Sequence, residues 1–60
     1  MSSSFEVGKR YLVTRPWSDS LIEVKVLEIS SLGLMAYFLF EDGYSGWRWL
    51  RDFTIVEQLE

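Results

Sequence analysis

Two adjacent carboxylates, Glu41 and Asp42, are the residues of this 60-residue chain whose type and spacing first suggest acid–base chemistry. A general acid and base need a cleft and displaced pKa values. Asp42-Gly43 is instead a strong hairpin-turn signal, and a turn tip is solvated. The chain has no histidine, so the commonest metal ligand and the usual neutral-pH base are both missing. It has no cysteine either, which rules out a disulfide and leaves the redox compartment open. Two neighbouring carboxylates without a loop of metal-binding spacing do not make a metal site. The residues therefore predict no catalytic group, no cofactor and no metal, and a protein that is not an enzyme.

What remains is the chemistry of aromatic surfaces. Trp17 follows a proline in the polar stretch Trp17-Ser18-Asp19-Ser20. It is either a lid on one end of the fold or a contact residue, since tryptophan is enriched at binding hot spots. Trp47 and Trp49 alternate along one strand face, and Tyr37 joins them from the preceding strand. If Ala36, Phe38 and Phe40 fill the interior, two tryptophans do not also fit there. Tyr37, Trp47 and Trp49 are then an exposed aromatic patch, which on a monomer marks an interface, with Arg48 and Arg51 as its polar rim.

Bulk properties narrow the classes further. Net charge is −3, whereas general phosphate binding relies on clustered Lys and Arg releasing counterions. Lys9, Arg10 and Arg15 lie close in sequence and keep a nucleic-acid alternative open, by aromatic stacking beside a basic groove. No apolar run approaches the ~20 residues that span a bilayer. Met1-Ser2-Ser3-Ser4 lacks the charged-then-apolar order of a signal peptide. A cytoplasmic protein without membrane contact is expected. A chain this short buries only about 60% of its unfolded surface. With 48% hydrophobic and 17% aromatic residues, a dense aromatic core or self-association has to hold it together.

The elements follow from period and punctuation. Residues 1–4 read as a disordered lead, and residues 5–60 as one domain. Residues 9–14 form a first strand with Tyr11 and Val13 inside and Arg10, Leu12 and Thr14 outside. Pro16 ends its pairing. Residues 21–30 form a second strand in which Ile22, Val24 and Val26 alternate with charge, after which the phase slips to Leu27 and Ile29. A one-residue slip flips faces, so a bulge or bend is expected near Val26-Leu27. Ser30-Ser31-Leu32-Gly33 is a turn. Residues 34–40 form a strand apolar on both faces, Glu41-Asp42-Gly43 turns the chain, and residues 45–50 return. Leu50-Arg51-Asp52-Phe53 makes a tight turn before a last strand at residues 54–59. Five short strands make an all-β meander. Closing it into a small, strongly bent barrel removes exposed edges.

Several of these pieces together resemble the SH3-like barrels, and among them the Tudor-like branch. The resemblance rests on Val7-Gly8-x-x-Tyr11-x-Val13, the loop carrying Trp17, and the long strand Glu23-Val24-Lys25-Val26-Leu27. Phe38-x-Phe40-x-Asp42-Gly43 and Leu50-Arg51-Asp52-Phe53, where such folds place a short 3₁₀ turn, complete it. It spans residues 5–59 as a pattern. It implies a binding module whose aromatic cage takes a methylated lysine or arginine by cation–π attraction, with Trp17, Phe40 and Tyr44 at the cage positions and Asp42 as charge partner. The paired-tyrosine motif that SH3 domains proper use for proline-rich peptides is absent.

The expected function is therefore a non-catalytic interaction module. It takes a protein or peptide through Tyr37, Trp47 and Trp49, or through Trp17, Phe40, Asp42 and Tyr44, with Arg48 and Arg51 setting register. The alternatives are a homo-oligomeric structural or accessory subunit that uses the same face for self-association, and a small nucleic-acid-binding barrel using Lys9, Arg10 and Arg15.

Overall fold

A computed structural model describes residues 5–59; the expected disordered lead at residues 1–4 lies outside them. Five antiparallel strands follow in order: β1 (Arg10–Arg15), β2 (Ser18–Ile29), β3 (Met35–Phe40), β4 (Ser45–Trp49) and β5 (Thr54–Gln58). A 3₁₀ turn at Leu50–Asp52 separates the last two. The all-β reading and the short turn before the final strand both hold.

The strands form a single sheet in the order β4-β3-β2-β1-β5. The first four strands make the expected meander. The fifth, β5, returns to pair with β1, Val13 facing Ile55 and Thr14 facing Thr54. The hydrogen-bonded ladder has β4 and β5 as its two edges and does not close between them.

Register explains which residues are inside. Tyr11 faces Val24, Val24 faces Phe40, Val26 faces Phe38 and Ile29 faces Ala36. Residues directly opposite share a sheet face, so these make one inner layer. The β2–β3 register shifts between Val26 and Glu28, which makes Leu27 the extra residue of a bulge. That is the physical answer to the phase slip: one inserted residue returns Ile29 to the inner face after Val26.

The buried core is Tyr11, Val13, Val24, Val26, Ala36, Phe38 and Phe53, with Phe5, Ile22, Ile29, Phe40, Leu50 and Ile55 packed against it. Its centre is aromatic. Phe38 meets Phe5 and Phe53 edge-on at 5.2 and 5.1 Å, and Phe5 meets Tyr11 at 4.9 Å. Edge-to-face pairs add roughly 0.5–1.5 kcal/mol each beyond the area they bury. Tyr11 reaches the core without stranding its hydroxyl, whose oxygen accepts the Glu6 backbone N–H at 2.8 Å.

Two connections differ in how the sequence specifies them. At the β3–β4 turn, Gly43 takes φ +90° and donates its N–H to Phe40 O at 3.0 Å, while Phe40 N–H donates to Tyr44 O at 2.7 Å. The Asp42 side chain secures the exit by accepting Tyr44 N–H at 2.9 Å. The β1–β2 connection is tighter than a polar loop over residues 17–20. Arg15 already faces Ser18, and β2 starts there. Only Pro16 and Trp17 remain as the turn, so Ser18, Asp19 and Ser20 are strand residues. Among the described residues no helix is long and apolar enough to cross a membrane.

Candidate functional site

The β3–β4 hairpin presents two candidate surfaces from alternate residues. On its outer side Met35 faces Trp49, Tyr37 faces Trp47 and Leu39 faces Ser45. Trp47 and Trp49 remain 44% and 41% exposed. The Tyr37 and Trp47 rings lie 5.4 Å apart, and the Tyr37 and Ser45 hydroxyls are 3.1 Å apart. Arg51 comes from the 3₁₀ turn to stack over Trp49 at 5.0 Å. The expected grouping of Tyr37, Trp47 and Trp49 is thus one surface, with Arg51 at its rim.

Arg48 does not join that rim. It faces Ala36 on the inner side of the ladder, two residues from Gly46 on the same face. Its guanidinium passes over Gly46, where an added Cβ would come 2.9 Å from Nη1. It then stacks over Phe40 at 5.5 Å and Tyr44 at 5.8 Å. Nη1 also donates to the Trp47 carbonyl at 2.8 Å.

These rings belong to the second surface, a groove of about 300 Å³ at the loop end. The β1–β2 turn contributes Arg15 and Trp17, and the β3–β4 turn contributes Phe40, Asp42 and Tyr44. The sequence-expected cluster of Trp17, Phe40, Tyr44 and Asp42 is therefore brought together. Phe40 and Tyr44 stack at 6.3 Å, and Trp17 and Tyr44 stand 71% and 59% exposed. Arg15 stacks on Trp17 at 5.8 Å, and its Nε is buried without a hydrogen-bond partner. Three carboxylates, Glu41, Asp42 and Asp52, and two guanidiniums, Arg15 and Arg48, line the groove; Glu23 also borders it, with its carboxylate paired to Arg10.

Sequence reasoning missed Arg15, Glu23, Asp52 and Phe53 as groove residues. Arg15 and Glu23 stand on β1 and β2, whereas Asp52 and Phe53 reach the groove through the passage from β4 to β5, which no local pattern announces. Lys9, Arg10 and Arg15 do not gather into one basic face through Arg10, which pairs with Glu23 at 2.9 Å on the outer side of β1 and β2. Among the described residues no group of acidic side chains is arranged to hold a metal ion. Comparisons with protein-family models, with curated proteins and with solved structures find no match.

Proposed function

We infer that the protein is a non-catalytic interaction module that binds a protein partner through the outer face of its β3–β4 hairpin. The observation that carries this reading is the pair Trp47 and Trp49. Both are about two-fifths exposed beside Tyr37, on a sheet face over which the described residues place no second layer. Removing such rings from water drives association, and tryptophan anchors dominate binding energy where it has been measured. Arg51, held on Trp49, supplies a charged rim that fixes orientation. The same reading takes the bent sheet as a small SH3-like barrel of the Tudor-like branch. The bulge at Leu27 and the 3₁₀ turn before β5 support it.

The test is capture of a partner by the wild-type chain and by Trp47→Ala and Trp49→Ala. The expected result is loss of the partner from both variants with the circular-dichroism spectrum unchanged. Full capture by both variants would remove the outer face as the binding surface.

The groove supports a second reading. Its excess of carboxylates and its exposed Trp17 and Tyr44 rings suit a basic side chain of a partner peptide, an arginine or lysine with or without methyl groups, held by cation–π attraction. The seat on Phe40 and Tyr44 already holds a guanidinium, that of Arg48. A peptide whose basic residue is replaced by norleucine should bind more weakly by roughly tenfold, the measure of a cation–π contact of about 1–2 kcal/mol. Equal binding of the two peptides defeats this second reading.

A further inference from the structure

The open edge of the sheet lies beside the exposed tryptophans. Phe40 N–H donates to Tyr44 O at 2.7 Å, and Leu50 N–H donates to Leu34 O at 3.0 Å. Hydrogen-bonded pairs alternate along an antiparallel ladder. Gly46 and Arg48 therefore bond to β3, and Ser45, Trp47 and Trp49 aim their N–H and C=O groups away from it. The hydrogen bond from Arg48 Nη1 to the Trp47 carbonyl agrees: that oxygen points out of the sheet and takes a side-chain donor. An exposed edge of this kind is a template for another strand.

We propose that the partner of this edge is a second copy of the chain, with β4 pairing antiparallel to β4 about a two-fold axis at Trp47. The inference rests on the reading of the Trp47–Trp49 face as a binding surface, and names what covers it. The sequence of the strand, Ser45-Gly46-Trp47-Arg48-Trp49, is self-complementary in this register. Trp47 meets its counterpart across the axis, so the aromatic faces of the two copies run together. Each Trp49 stands opposite a serine and each Arg48 opposite a glycine, so on either side of the central Trp47 pair large side chains face small ones. Gly46 lets the guanidinium of its own chain lie across it, so in each copy Arg48 stays along its own strand and does not reach over the axis.

Charge selects the same register. An axis at Arg48 would oppose two guanidiniums directly, and like charges directly opposite are destabilising. With the axis at Trp47, Arg51 beyond one end of β4 runs toward the second copy's Glu41-Asp42 turn beyond the other end. Arg10–Glu23 is the ion pair found among the described residues; Arg51 lies on Trp49 and Asp42 accepts the Tyr44 N–H, yet neither they nor Glu41 is in an ion pair there. On pairing, the second copy's Trp47 N–H replaces Arg48 as donor to the Trp47 carbonyl. Arg48 keeps its place on Phe40 and Tyr44. It thus guards the edge in the monomer without blocking the paired state.

Sedimentation of the full chain across the micromolar range tests the proposal. The wild type is expected to pass from 7.1 kDa to twice that mass. Ser45→Pro removes an outward N–H from the edge, a position that tolerates proline, and leaves both tryptophans in place. It should weaken the dimer roughly tenfold or more. Arg51→Glu should weaken it about tenfold, as should Glu41→Lys with Asp42→Lys, and all three changes together should restore it. A wild type that stays at 7.1 kDa, or a dimer that neither Ser45→Pro nor the charge reversals weaken, overturns the proposal. The reading beneath it fails differently. A monomeric wild type that captures another protein through Trp47 keeps the outer face and loses the second copy. A dimer sensitive to Ser45→Pro but not to Trp47→Ala keeps the pairing and loses the aromatic face.

Discussion

The two faces of the β3–β4 hairpin are made from alternate residues of the same strands and differ in what covers them. The inner face carries Ala36 and Phe38, both fully buried. Toward the turn it ends in Phe40, whose ring is covered by the chain's own Arg48. The outer face carries Tyr37, Trp47 and Trp49; among the described residues the Tyr37 ring packs beside Trp47 and the Arg51 guanidinium lies on Trp49, and both tryptophans stay about two-fifths exposed. So apolar character alone does not locate the core here. A strand with large apolar residues on both sides needs two covers, and a 60-residue chain folds over only one. The side left bare is the one that the proposed reading gives to a partner, and the side filled from within is the core.

That contrast predicts a split between stability and binding. Phe38 is fully buried and touches Phe5, Phe40 and Phe53. Phe38→Ala should cost about 3–5 kcal/mol, a large share of the roughly 3–9 kcal/mol available to a domain of this size. Urea titration should show the variant largely unfolded in water. Trp47→Ala, one strand away on the opposite face, gives up its contact with Tyr37, worth about 1 kcal/mol. It should keep a cooperative transition near that of the wild type. If the two substitutions cost the same, the two faces are equally structural and the contrast is gone.

The turn that joins the two strands holds both faces in register, so it sharpens the comparison. Gly43 sits at φ +90° with nothing within 4 Å of an added Cβ. Any cost of Gly43→Ala is then conformational, not steric crowding by neighbours, and should come to about 1–2 kcal/mol. The matching loss at Gly46, where φ is ordinary and the flexible Arg48 guanidinium is what a Cβ meets, should be smaller. Denaturation midpoints of Gly43→Ala and Gly46→Ala, measured side by side, decide it; an equal or larger loss at Gly46 would mean that Arg48 cannot yield.

How much of this could be read from the residues depends on the range of the interactions. The β2 bulge was legible because Val24-Lys25-Val26-Leu27-Glu28-Ile29 breaks a period of two, and the break is local. Asp42-Gly43 marked its own turn, and Tyr11 and Val13 marked the inner face of β1 by alternation. The break between β4 and β5 was not legible: a closed meander sets β5 beside β1, as found, but also beside β4, where no ladder forms, and Ile55 and Val56 give no consistent phase to reveal it. With that break unread, Phe53 could not be counted in the core, nor Asp52 in the groove. Phe5 precedes any strand, so alternation says nothing of it, yet it caps Tyr11 and Phe38. Arg48 was read from its neighbours as a rim residue. Its alternation does put it on the inner face, but only the side-chain path over Gly46 shows that it ends on Phe40 and Tyr44. Proline punctuation misled in one place. Pro16 does end β1's regular pairing, but the turn it helps make is so short that β2 begins two residues later.

The smallest expected effect tests whether the inner face is filled by design at its groove end. Arg48 holds three contacts: the rings of Phe40 and Tyr44, and the Trp47 carbonyl. All three are at the protein surface, where a cation–π contact is worth about 0.5–1 kcal/mol and an exposed hydrogen bond adds little. Arg48→Ala should therefore lower stability by about 1 kcal/mol or less. Its effect on the surfaces should be larger than its effect on the fold, and of the same sign in the two places. In the groove it bares the stacked rings of Phe40 and Tyr44 and removes one of two cations, so the affinity of a basic peptide should rise a few-fold. At the edge it strips the side-chain donor from the Trp47 carbonyl, so strand pairing should also tighten. Arg48→Lys separates these effects: an ammonium can still reach the carbonyl but lacks the planar group that lies flat on two rings. Lysine should restore the guard on the edge more fully than the plug in the groove. Isothermal titration with a basic peptide and sedimentation of the same three chains give both numbers. Should arginine, lysine and alanine behave alike in both measurements, Arg48 is neither plug nor guard, and the inner face is as bare at its groove end as the outer face is along its length.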